Sequence, residues 1–227
     1  MDISAIYYTS NHISDYFSDN VCTKLLEAIG DIPLISVSQK PLKFGKNICV
    51  GDIGRCNYNI YKQLLIGAKE AKTEYIACCE DDILYTPEHF MYRPTSKNVF
   101  AYNHNRWELH TWEDDPIFSY KNRSVLNQMI APRELLIEAL EERFAKFPTS
   151  ESINVKHFGE LGKYEDYMGV TVREKESFMS VRPNIIFIHK EALGYEVLGS
   201  KKKHGDKRVK ELPYWGTAKE VKKLYEI

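Results

Sequence analysis

The spacing of apolar residues changes along this chain, and each change marks an element. Ile3 to Tyr8 is a mostly apolar run that predicts a short strand, followed by the polar loop Thr9-Ser10-Asn11-His12. Val21, Leu25, Leu26 and Ile29 then recur at helical spacing, and Gly30 stops that helix. Pro33 to Val37 predicts a second strand. Phe44 to Arg55, broken by Gly45, Gly51 and Gly54, reads as loop. Asn57 is placed to cap a helix whose apolar face holds Ile60, Leu64, Leu65, Ala68 and Ala71. Glu74 to Cys79 follows as a strand of the buried kind. The order β-α-β-loop-α-β predicts an α/β fold: a mixed, mostly parallel sheet flanked by helices. Such sheets bind ligands beyond the carboxyl ends of their strands, where the loops after Tyr8 and Cys79 lie.

Past Pro87 the pattern is less regular. Thr86 and Pro87 open a short helix, with Glu88 set well against its dipole. Val99 to Tyr102, Trp107 to Trp112 and Ile117 to Tyr120 predict short antiparallel strands. Helices are expected at about Arg133 to Ala145 and Tyr164 to Glu174. Lys146 to Leu161 is irregular between them. Phe178 to His189 reads as a strand pair, or one strand interrupted at Pro183, and a last helix falls around Ala218 to Tyr225. No repeat or low-complexity linker divides the chain. It is expected to be one domain, 1–227, with a nucleotide-binding half at 1–90, a more variable half at 91–195 and a basic tail at 196–227.

Composition narrows the class. Of 227 residues, 43% are hydrophobic and 28% charged, which excludes a disordered chain and is enough for one large core. The net charge of -1 demands no nucleic acid as partner, although a local patch still allows one. None of the five cysteines has metal-type CxxC spacing, so they are expected to be reduced. No apolar run approaches a membrane span and no leader precedes the first strand, so a cytoplasmic protein without membrane insertion is expected.

The candidate chemistry sits at the end of the strand that begins at Glu74. Glu80, Asp81 and Asp82 follow an apolar run directly. At a period of two, Glu80 and Asp82 share a side and Asp81 points away. Two carboxylates held that close take up a proton unless a cation neutralises them, and oxygen ligands suit Mg²⁺ or Mn²⁺. A solvated acidic turn is the alternative reading. The segment Gly54-Arg55-Cys56-Asn57, the helix end Gly67-Ala68-Lys69-Glu70-Ala71 and the run Thr73 to Asp82 together resemble the core of GT-A fold glycosyltransferases. The resemblance covers the first ninety residues and departs by placing Glu80 where that family most often has aspartate.

The resemblance implies a nucleotide-sugar donor and a metal held by Asp82, Glu80 and a histidine after the last core strand, here His189. It implies a nucleotide site at Tyr8, Thr9, Asn11, Arg55, Glu80 and Asp81. It also implies an acidic catalytic base at a helix start, for which Asp166 and then Glu165 are the candidates, and with it inversion at the sugar. Trp107 and Trp112 have faces suited to stacking on an acceptor. Lys201, Lys202, Lys203, Lys207 and Arg208 make the tail strongly cationic. That suits a lid over the donor, a DNA acceptor or a solvated segment. Some bacteriophage enzymes of this fold glycosylate hydroxymethylated pyrimidines in DNA; a saccharide or lipid-linked glycan is the alternative acceptor. Two other readings compete: a nucleotidyltransferase, which usually carries a glycine-rich loop where this chain has Thr9-Ser10-Asn11-His12, and a non-enzymatic nucleic-acid-binding module.

Overall fold

A computed structural model describes residues 1–152, 158–193 and 203–226. The first half alternates as its periodicity predicts: β1 (Ile3–Thr9), α1 (Asp15–Ile29), β2 (Leu34–Ser38), β3 (Lys46–Cys49), α2 (Asn57–Glu70) and β4 (Tyr75–Glu80). Ser14 caps α1 by accepting from the Phe17 amide, and Gly30 ends it at φ +55, a conformation that favours glycine. The cap of α2 is Cys56, without a side-chain bond, and Asn57 is instead its first residue. β3 lies inside the segment expected to be loop. It is a partly exposed strand at the sheet edge, so it carries little apolar signal.

The second half holds β5 (Ile83–Leu84), β6 (Val99–Asn103), β7 (Arg106–His110), β8 (Phe118–Tyr120), β9 (Met129–Pro132), α3 (Arg133–Lys146), α4 (Glu165–Met168), β10 (Glu174–Phe178), β11 (Asn184–Ile188), β12 (Lys207–Val209), β13 (Glu211–Leu212), β14 (Gly216–Thr217) and α5 (Ala218–Lys222). The helix expected from Tyr164 to Glu174 is a single turn. Gly169 at φ +61 closes α4 and lets the chain run on into β10.

The seven-stranded sheet has the order β10-β6-β9-β4-β1-β2-β3. β1 pairs in parallel with both β2 and β4, and β2 with β3, while β9 runs antiparallel to β4 and β6. A five-stranded sheet, β12-β8-β7-β11-β5, stands beside it. The two strands foreseen near 178–189 therefore belong to different sheets, and β6 pairs in the large sheet rather than with β7. Together these make a mixed α/β fold with a largely parallel central sheet flanked by helices, Rossmann-like and GT-A-like in plan. One core packs α2 and α3 on one face of the large sheet, around Ile6, Leu64, Ile76 and Leu136. Another fills the other face, and a third joins Phe17 and Val21 of α1 to Phe187 and the C-terminal helix.

Candidate active site

The carboxyl ends of β1, β2 and β4 open into a cavity of about 680 Å³, within the range of small-molecule sites. Its floor is stitched by α2, where Gln63 donates to the carbonyls of Thr9 (2.9 Å) and Val37 (2.8 Å). Asn11, at φ +54, accepts from the Gln39 and Lys40 amides, both at 2.9 Å, tying the loop after β1 to the loop after β2. Tyr8, Thr9, Gln39 and Arg55 line the cavity, whereas Asn11 braces it from behind. The Arg55 guanidinium donates to the Glu191 carbonyl and so links the two sides of the opening.

All three acids of the strand end line the cavity. The period of two stops at Glu80, because Asp81 and Asp82 form the turn into β5. Asp81 accepts from the Thr9 hydroxyl, and Glu80 accepts from the Asn127 amide at 2.6 Å. Burial pushes the Glu80 carboxyl up to about 8 and that of Asp81 up to about 6, and the Asp82 charge adds to both. Carboxylates raised in this way are short of positive charge.

β11 delivers His189 to the same place. Its Nε2 is 3.4 Å from Asp82 Oδ2, and its Nδ1 is 3.0 Å from Glu191 Oε2. Burial lowers the imidazole's affinity for a proton, but the Asp82 and Glu191 carboxylates outweigh it and hold the ring above its ordinary value. Asp82 Oδ1 is buried and has no hydrogen-bond partner. An orphaned carboxylate oxygen beside an imidazole whose other nitrogen meets a second carboxylate is a donor set that fits Mn²⁺ or Mg²⁺. Glu80 is not gathered into a three-ligand group with them. Among the described residues the group of that kind is elsewhere: His110, Glu113 and His204, whose ligand atoms lie within 4.8 Å of one another and are capable of coordinating a divalent metal. In that group His204 Nε2 meets Glu113 Oε1 at 2.6 Å, and the two imidazoles stack at 4.3 Å.

The other expected residues fall outside the cavity. Asp166 is exposed. Glu165 turns into the interior, where it meets Arg143 at 2.7 Å and accepts from the Gly162 amide at 2.8 Å. The carboxylate that this segment does bring to the cavity is Glu160. Trp107 packs against Tyr120 on the far face of β7, and Trp112 stacks on His110; neither lines the cavity. Lys203 is exposed, Lys207 and Arg208 sit exposed on β12 at the edge of the second sheet, and Lys201 and Lys202 lie outside the described residues. All five cysteines are free, and no helix among the described residues is long and apolar enough to cross a membrane. Sequence reasoning missed Gln39, Gln63, Asn127, Glu160 and Glu191. It also missed Arg106 and Glu108, although their alternation with Trp107 and Leu109 was visible.

No family model matches the chain, and no curated protein sequence does. Similar solved structures include a nucleotidyl transferase from Methanothermobacter, with a TM-score of 0.46 at 12% identity over 80% of this chain and 88% of that one. A glycosyltransferase involved in glycosylation of the major capsid of PBCV-1 gives 0.40 at 10% identity, over 66% and 69%. S. aureus TarS in complex with UDP-GlcNAc gives 0.49 at 10% identity, over 87% of this chain and 61% of that one. The fold assignment itself rests on the strand order and register described above.

Proposed function

We propose that this chain is a metal-dependent glycosyltransferase that moves a sugar from a nucleotide-sugar donor to a hydroxyl acceptor. The observation that carries the proposal is the unpaired, buried Asp82 oxygen, beside His189, in a cavity at the carboxyl ends of the parallel strands. Tyr8, Thr9, Gln39 and Arg55 surround the nucleotide. Asp82 and His189 hold Mn²⁺ or Mg²⁺, and Glu191 fixes the imidazole so that Nε2 faces Asp82. The ion, when bound, offsets the charge that grows on the leaving diphosphate. Glu80 and Asp81 are held in place by Asn127 and Thr9. Glu160 takes the acceptor hydroxyl's proton, the role that sequence assigned to the exposed Asp166.

The test is thermal shift across a panel of nucleotide sugars with and without Mn²⁺. A ligand at a hundredfold excess over its dissociation constant stabilises by about 2.7 kcal/mol. One nucleotide is expected to raise the melting temperature only with metal, and Asp82→Asn to abolish the rise. A panel in which no nucleotide shifts the protein in the presence of Mn²⁺ overturns the proposal. With the donor in hand, sugar transfer to a hydroxymethylated duplex, a plain duplex and an oligosaccharide separates the acceptor classes.

A further inference from the structure

β7 reads Arg106-Trp107-Glu108-Leu109-His110, and at a strand's period of two its charged residues share one face. Arg106 and Glu108 are ion-paired with side chains 1% and 0% exposed, and both border the cavity. Glu108 faces three cations. Besides Arg106 it has Lys121 at 2.6 Å and, on the oxygen already shared with Arg106, Arg123 at 3.5 Å. Three cations thus converge on one carboxylate. Arg106 Nε and Nη1 are buried without hydrogen-bond partners, and a buried guanidinium is rarely left in that state. Arg123, with a side chain 42% exposed, also lines the cavity.

This basic wall stands opposite the acidic turn. Glu108 pairs with Ile186, and Ile186 pairs with Ile83, the residue after Asp82. Two strand spacings put the backbones of the two ends roughly 10 Å apart. The cavity is therefore polarised, with three carboxylates at one end and unsatisfied guanidinium donors at the other.

We infer that Arg106 and Arg123 form a subsite for an anionic group, a carboxylate or phosphate, carried by the second substrate of the cavity. Glu108, itself anchored by Lys121, holds the two guanidiniums in place, and planar, multi-donor guanidinium is the side chain best matched to either anion. The assignment of this anion to a second substrate rests on the transferase reading; the anion subsite itself does not.

The experiment is titration calorimetry on the full chain in EDTA at constant ionic strength, with glucose 6-phosphate, glucuronate and neutral glucose as probes. At least one anionic sugar is expected to bind tenfold or more tightly than glucose, and the arm that does so tells phosphate from carboxylate. Arg123→Ala is expected to bring its affinity to the level of glucose, with Arg123→Lys intermediate. Because Arg106 is buried and its variants risk misfolding, Arg123 carries the test. Equal affinity for all three sugars, or an anion preference unchanged by Arg123→Ala, overturns the inference. Mn²⁺-dependent nucleotide binding and its loss in Asp82→Asn are scored separately. A failed nucleotide panel with an intact, Arg123-dependent preference therefore removes the transferase reading and leaves the subsite.

Discussion

Removing the Glu165 carboxylate tests what that residue is for. Its side chain is 2% exposed and that of Arg143 1% exposed, with 2.7 Å between Arg143 Nη2 and Glu165 Oε1. The same oxygen accepts from the Gly162 amide, and Arg143 Nη1 donates to the Gly159 carbonyl at 2.8 Å. Arg143 Nε already has no partner. Glu165→Ala therefore strands a buried guanidinium, with only the Gly159 carbonyl and the faces of Tyr61 and Phe158, 5.9 and 5.8 Å from it, to receive its charge. Breaking one side of a buried pair costs about 3–5 kcal/mol. For a chain of this size each kcal/mol moves the melting temperature by roughly 2–4 °C, so the fall should be roughly 6–20 °C. Arg143→Met in the same chain removes the stranded charge and should recover much of the loss, a coupling that a double-mutant cycle reads directly. The pair also moors the segment that carries Phe158, Gly159 and Glu160 to the cavity wall. Ligand affinity should weaken with stability and return in the double variant. The exposed Asp166→Asn should change stability by no more than about 0.5 kcal/mol. A loss below about 1 kcal/mol for Glu165→Ala, or no recovery in the double variant, refutes the structural role.

Three further outcomes follow from buried groups. Burial drives the His89 imidazole down to about 3, with Asn103 on its Nδ1 at 3.2 Å and nothing on Nε2. The unfolded chain takes up this proton below about 6.5 and the folded one does not. Stability is therefore lost as pH falls through that window, by about 2 kcal/mol at pH 5, and His89→Gln should flatten the acid limb in urea titrations. Glu80 and Asp81 behave oppositely: their folded values lie above the unfolded ones, so they withdraw stability as pH rises toward about 8. A divalent ion held by Asp82 and His189 offsets the neighbouring negative charge that these protons otherwise remove, so the Mn²⁺-induced rise in melting temperature should be larger at pH 8 than at pH 5.5; the reverse order refutes a carboxylate metal site. Finally, a Cβ on Gly67 would lie 2.4 Å from Ile6 Cγ2, where α2 meets β1. Gly67→Ala should destabilise by about 1–3 kcal/mol in chemical denaturation despite its better helix propensity, and a neutral or stabilising result would show that the two elements separate freely.

Most of the first half was legible because β1, β2 and β4 are buried on both faces and α1 and α2 on one, so period and burial agree; the partly exposed edge strand β3 was not. The acidic turn was legible for the opposite reason: three charges after an apolar run fit no packing rule. What escaped detection was polarity that the fold compensates internally. Arg106, Glu108 and His110 alternate with Trp107 and Leu109, a pattern that ordinarily places the charged residues in water and the apolar ones inside. Here both faces of β7 are covered. Leu109 and Trp107 pack toward the core of α1 and β11, while the charged face is closed against the cavity and neutralised in part by Glu108. Alternation of period two fixes which residues share a face but not which face meets water; that depends on Lys121 and Arg123, which arrive from beyond β8. The same holds for Glu160 and Asp166. Both are carboxylates near a helix start, and the buried Arg143–Glu165 pair, with Gly169 ending α4 after one turn, decides how the segment lies. Charge in this half of the chain is arranged by tertiary pairing, so the cavity's basic wall became visible only once the partners of Glu108 were known.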